Sequence, residues 1–290
     1  MARHTRSPRA GAGFAASVVL LGGLAGCGGG SDASRKPARL SIVITDSGGV
    51  ARYRVPASTP GGLVHLRLSN KGRAGHPVQL LRLEGDHTAE DAFAVLRSHP
   101  DRIPDWFRAE GGLGPLGPGH TVDLVLDLPA GRYVVTDLPR AGSRQAPPHA
   151  EFQLTDAPSG PLPRTATTIE AAALGPRRYG WRISGEALKS GRNLVTFRSA
   201  GAQALHLIGT FRLRGDASRA QILGALRSSL PTSRIADAYF ATATLDGGRS
   251  QTTILPIGRP GRYVLFCPLS DRASRRPHFE DGLLTTIEVK

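Results

Sequence analysis

Alternating apolar and polar residues recur along the chain in short runs, the period at which a strand sends successive side chains to opposite faces. LVHLRLSN (Leu63 to Asn70), TVDLVLDL (Thr121 to Leu128), NLVTFRSA (Asn193 to Ala200) and TTILPI (Thr252 to Ile257) follow this pattern, and clusters of Gly and Pro separate them at short spacing. Two stretches keep helical spacing instead, TAEDAFAVLRS (Thr88 to Ser98) and ASRAQILGALRS (Ala217 to Ser228). The first opens with Thr88 followed three residues later by Asp91, a signal for a capped helix start. The pattern predicts an all-β protein carrying two short helical insertions.

The pattern also repeats. HPVQLLRLEGD (His76 to Asp86) lies over HLIGTFRLRGD (His206 to Asp216) at an offset of 130, and PAGRYVV (Pro129 to Val135) lies over RPGRYVL (Arg259 to Leu265), with Gly131 and Gly261 keeping that offset. PPHAEFQLT and RPHFEDGLLTTIEV follow at nearly the same distance. The chain therefore reads as two copies of one antiparallel sandwich, residues 39–156 and 176–290, each with one helical insertion. Residues 157–175, rich in Pro, Ser and Thr, read as a linker in which IEAAAL forms a helical turn.

The N-terminus changes the compartment. Arg3, Arg6 and Arg9 precede the apolar FAASVVLLGGLAG, too short to span a bilayer comfortably. The stretch ends in LAGC, which resembles the lipobox of bacterial lipoproteins: residues 1–26 are then a signal peptide, Cys27 is lipidated, and residues 27–38 are a flexible tether. The resemblance implies a protein anchored to the outer face of the cell membrane. Net charge is +14, three of it from the signal arginines. The remaining charge is scattered arginine with no nucleic-acid-binding motif, so the membrane is the expected partner and nucleic acid is not.

With Cys27 consumed, Cys267 is the one remaining cysteine. An odd thiol in an oxidising compartment is buried, metal-bound or functional. No nucleophile elbow accompanies a histidine and an acid, and GPLGPG (Gly114 to Gly119) is a turn without the lysine of a phosphate loop. His65, His87, His99 and His120 read as surface residues, and Trp106 and Trp181 as packing residues.

The order of motifs resembles the cupredoxins, the blue-copper Greek-key sandwiches, whose pattern has an upstream histidine ahead of L-x-L, a helical insertion, PG-x-Y-x-L-x-C and PH-x-x-x-G-M. The second copy carries PGRYVLFC and PHFEDGL at the last two, the first PAGRYVVTD and PPHAEFQLT. The resemblance covers about residues 40 to 156 and 176 to 290. It implies copper ligands at His206, Cys267 and His278 in the second copy. The axial position, methionine in the family pattern, is Leu283, and Met1 is the only methionine in the chain. A thiolate with two imidazoles suits copper in both oxidation states, so electron transfer needs little rearrangement, and an apolar axial side raises the reduction potential. The loop between Cys267 and His278 carries Arg272, Arg275 and Arg276, positive charge expected beside a cation. In the first copy the corresponding set is His76, Asp137 and His149, a harder and weaker site without a thiolate. Multicopper oxidases are tandem cupredoxins as well, but the paired H-x-H motifs of their trinuclear site are absent from this sequence.

The sequence thus leads to a membrane-anchored, non-enzymatic protein that holds one copper in its second copy for electron transfer or copper handling, with an unknown redox partner. The alternative is a metal-free tandem sandwich acting as a binding scaffold at the cell envelope, with Cys267 an inert core residue.

Overall fold

Strand follows strand along the chain at the spacing the alternation predicts. The computed structural model describes residues 36–48, 50–99, 103–137, 146–228, 235–272 and 274–290. Cys27, the signal and most of the tether lie outside them. The first half comprises β1 (Ala38–Ser47), β2 (Val50–Arg54), β3 (Ser58–Pro60), β4 (Gly62–Asn70), β5 (His76–Leu83), α1 (Ala89–Ser98), β6 (Phe107–Leu116), β7 (Thr121–Leu128), β8 (Gly131–Thr136) and β9 (His149–Thr155). The second comprises β10 (Thr167–Gly175), β11 (Arg178–Gly185), β12 (Gly191–Ser199), β13 (Leu205–His206), β14 (Gly209–Leu213), α2 (Arg219–Arg227), β15 (Ala236–Ala241), β16 (Leu245–Asp246), β17 (Ser250–Ile257), β18 (Gly261–Phe266) and β19 (Leu284–Val289).

The order of pairing recurs. One sheet runs β2-β1-β4-β7 in the first half and β11-β10-β12-β17 in the second; the facing sheet runs β6-β5-β8-β9 and β15-β14-β18-β19. β1 pairs with β4 and β10 with β12 in parallel, among otherwise mostly antiparallel ladders. Leu40, Ile42, Leu66, Leu68, Leu124 and Leu126 of one sheet meet Val78, Leu80, Tyr133 and Leu154 of the other in a single buried cluster. Each half is thus a sandwich closed by alternating side chains. The helices cover the outer face of the second sheet: Phe93 of α1 packs on Leu81, Leu83 and Val134, and Ile222 of α2 lies in one cluster with Phe211, Val264 and Phe266. Both helices open with a complete capping box, Thr88 with Asp91 and Ser218 with Gln221.

Two features differ from the sequence reading. Residues 167–175, read as the end of a linker with a helical turn, form β10, because pairing with β11 on one side and β12 on the other overrides the helical preference of its alanines. The two halves also share their sheets. β17 pairs with β7 at Gln251 and Leu126, and β16 pairs with β6 at Leu245 and Glu110, so one sheet of eight strands runs through both halves.

The seam between the halves is stitched by buried amides and charges. The Gln79 side chain donates to the Gly111 and Thr244 carbonyls and accepts from the Thr244 amide at 2.8 Å. Gln251 accepts from the Gly112 amide at 2.9 Å. Glu110 lies between Arg82 at 2.8 Å and Arg249 at 2.9 Å. Residues 37–290 form one compact unit. Among the described residues, no helix is long and apolar enough to cross a membrane.

Candidate metal centre

The period-2 twist of β18 decides where the thiol goes. Val264 and Phe266 face α2, whereas Tyr263, Leu265 and then Cys267 enter the sandwich core. Past the strand, the backbone folds back on itself: the Cys267 amide donates to the Leu283 carbonyl at 3.1 Å, and the Phe279 amide to the Cys267 carbonyl at 2.9 Å. The His278 amide closes the intervening loop onto the Leu269 carbonyl at 2.7 Å. The turn after His278 needs Gly282, whose φ is +118° and whose missing Cβ would sit 2.0 Å from the Tyr179 carbonyl oxygen. That turn delivers Leu283 into the same core. His206 arrives from β13, paired opposite Leu245 of β16.

The structure brings Cys267, His206, His278 and Leu283 into one pocket, all four fully buried. Cys267 Sγ lies 3.6 Å from His278 Nδ1. Two donors on one cation, at about 2.0 and 2.3 Å for imidazole and thiolate on zinc, lie roughly 3.5–3.7 Å apart when the angle between them is about 110–120°. The pair is therefore already at ligand spacing. The His278 and His206 rings are 4.6 Å apart between centroids. Leu283 fills the remaining side with hydrocarbon.

Three further residues, none singled out from the sequence, set the histidines. Asp271 Oδ1 accepts from His278 Nε2–H at 2.9 Å, which fixes the tautomer and leaves the Nδ1 lone pair facing the sulfur. Tyr179 of β11 donates to the same carboxylate oxygen at 2.6 Å and places its ring 4.7 Å from that of His278 and 5.0 Å from that of His206. Ser199, the last residue of β12, lies 2.9 Å from His206 Nδ1 and donates its single proton to the Leu245 carbonyl at 3.2 Å. A hydroxyl that donates there accepts from its other neighbour, so His206 carries its proton on Nδ1 and its lone pair on Nε2. That Nε2 is buried and has no hydrogen-bond partner.

Burial sets the protonation of the group. It pushes the His206 imidazole down to about 3, with the neighbouring His278 adding to the shift. Burial also lowers His278, against the pull of Asp271. The same desolvation pushes the Cys267 thiol up to about 12, although the Leu207 and Leu269 amides favour the thiolate. The pocket therefore holds a neutral thiol and two neutral imidazoles, a set that binds a soft cation by releasing one proton.

The donor set fits such a cation: the Sγ–Nδ1 spacing suits two ligands of one ion, and a buried His206 nitrogen has no partner. It is not ready-made: among the described residues, no three His, Cys, Asp or Glu side chains already form a metal-holding group. His206 spends Nδ1 on Ser199. Two of the three arginines expected to add charge beside the sulfur are turned elsewhere. Arg272 pairs with Asp246 at 2.5 Å, and Arg276 pairs with Asp281 at 2.9 Å and Glu280 at 3.3 Å.

In the first half, His76 and Asp137 meet at 3.3 Å, and Asp46 lies 3.5 Å from the other His76 nitrogen. His149 is engaged with other partners, its Nδ1 donating to the Pro147 carbonyl at 3.0 Å and its ring 4.9 Å from Phe93. A histidine–aspartate contact thus occupies the place that sulfur holds in the second half. Of the other residues weighed from sequence, Trp106 stacks on His87 at 3.9 Å and Trp181 packs against Phe197.

No family model matches the chain, and no curated protein matches it in sequence. Among solved structures, it is similar to a multicopper oxidase at 14% identity, over 87% of this chain and 88% of that one, with a TM-score of 0.23. It is similar to auracyanin B at 18% identity, over 42% of this chain and 86% of that one, with a TM-score of 0.27. An auracyanin from the photosynthetic bacterium Roseiflexus castenholzii aligns at 20% identity, over 41% of this chain and 97% of that one, with a TM-score of 0.26.

Proposed function

We propose that the protein is a membrane-anchored, cupredoxin-like carrier that holds one copper ion in its second half, through Cys267, His206 and His278, for electron transfer or copper handling. The observation that carries this reading is the His278 Nδ1 at 3.6 Å from Cys267 Sγ, with its other nitrogen tied to Asp271. Bound there, copper supplies a one-electron couple. The chain's own residues do the rest: Asp271 and Ser199 orient the imidazoles, while Tyr179 and Leu283 keep water out. Fixed ligands and a dry pocket suit a site that changes charge without moving. Next to it lies a cleft of about 300 Å³, lined by Leu205, Leu269, Asp271 and Pro277 among others. A partner or copper donor approaching from this side meets Asp271 before His278.

The first half serves as a structural sandwich, its His76–Asp137 contact standing in place of a thiolate site. In this reading the protein carries rather than catalyses, because its sequence has no paired H-x-H motif of the kind a trinuclear copper site uses. The LAGC stretch supports a lipid on Cys27 and a folded unit outside the cell membrane. The metal-free scaffold is the competing reading, favoured by the Ser199 hydrogen bond that occupies His206 Nδ1.

Titration with Cu(II), followed by visible absorption and electron paramagnetic resonance, separates the two. The expected result is an intense thiolate-to-copper band that saturates at one equivalent. Loose binding with no such band overturns the metal reading in favour of the scaffold.

A further inference from the structure

We propose that the first half of the chain clamps the loop between Cys267 and His278 through Arg272, so that both halves set the metal pocket; this rests on the metal-binding reading above. The Arg272 side chain is 4% exposed and leaves its own half. Nη1 donates to the Ile103 carbonyl at 3.1 Å and the Pro104 carbonyl at 2.8 Å, and Nη2 donates to the Phe107 carbonyl at 2.9 Å. Nη2 also donates to Asp246 Oδ1 at 2.5 Å. The other Asp246 oxygen accepts from the Ala109 amide at 2.7 Å, again in the first half.

Both ends of this grip touch the pocket. Arg272 directly follows Asp271, the residue that orients His278. Asp246 directly follows Leu245, which pairs with His206 and accepts from Ser199. The Arg272 amide adds a bond to the Gln203 carbonyl at 3.0 Å, fixing the loop to the segment ahead of β13. A planar guanidinium forks to several acceptors at fixed angles, whereas an ammonium binds as a point charge. Arg272 is therefore a positioning residue: it carries the register of the first half into the spacing between sulfur and imidazoles.

The test uses the full chain with Cys27→Ser, so that Cys267 is its only thiol, and compares Arg272→Lys with Arg249→Lys. Arg249 serves as the control because it pairs with Glu110 at the same seam without touching the loop. A second variant, Asp246→Asn with Arg272→Gln, removes both charges together and decides the matter if Arg272→Lys fails to fold. The readouts are the rate at which Cys267 reacts with a chromogenic aromatic disulfide in the metal-free protein and the thiolate-to-copper spectrum after loading. Loss of one charge-assisted hydrogen bond corresponds to roughly a tenfold faster thiol reaction through local opening, with a shifted or weakened copper band. Both changes are expected for the Arg272 variants and neither for Arg249→Lys. An unchanged thiol rate, or an equal rise with Arg249→Lys, overturns the clamp. If the parent protein gives no copper band, the metal reading falls and the thiol rate still decides the clamp.

Discussion

Replacing Cys267 with serine is expected to lower copper affinity by at least about a hundredfold and to abolish the thiolate band. Even the outer partners of metal ligands are worth roughly 10- to 100-fold, and Cys267 supplies the only sulfur among the described residues. The serine hydroxyl fits the space but enters a fully buried position, where an incompletely bonded hydroxyl costs about 1–3 kcal/mol. The variant should therefore stay folded, with a modest drop in its urea midpoint. A competition titration against a chelator of known affinity measures the loss. Affinity within a few-fold of the parent would show that copper binds elsewhere.

The second large effect is on acid stability of the metal-free protein. His206 titrates near 3 when folded, because burial opposes its charged form, and near 6.5 when unfolded. Between those values the unfolded chain binds more protons, so stability rises with pH and is lost as pH falls below 6.5. One pH unit corresponds to about 1.4 kcal/mol, so acidification from pH 6.5 to 5 should cost about 2 kcal/mol through His206 alone. His278, also lowered by burial, adds to the loss. Glu110 and Asp246 are raised by burial and act the other way, so the assignment rests on a comparison with His206→Asn. Urea denaturation at the two pH values should give a shallower dependence in the variant. Equal slopes would remove His206 from the account.

Much of the fold was legible because strands with one buried face must alternate, and both helices announce themselves by periodicity, the first also by its capping residues. The repeat at an offset of 130 carried further, since it aligned His76 with His206 and Asp137 with Cys267 before any contact was known. What escaped the sequence was set by partners far away in the chain. β10 reads as a helical turn because its alanines favour helix; only its neighbours β11 and β12 make it a strand. Asp271 sits in plain view between Cys267 and His278, yet nothing in the spacing says that it bonds His278 rather than solvent. Tyr179 and Ser199 come from strands whose pattern signals packing alone. Arg272 was read as charge beside a cation, whereas its guanidinium ends among the carbonyls of the other half. The shared sheets were hidden for the same reason: single bridges and buried glutamines join the halves, and neither leaves a periodic trace.

The claim that one thiolate and two imidazoles converge on a single ion is tested most directly by copper K-edge X-ray absorption of the protein loaded with one equivalent of copper. The expected result is a shell of one sulfur and two nitrogens, with outer scattering from two imidazole rings. A first shell of oxygen and nitrogen alone, the same in the Cys267→Ser variant, would contradict it and leave Cys267 as a core residue of a metal-free sandwich.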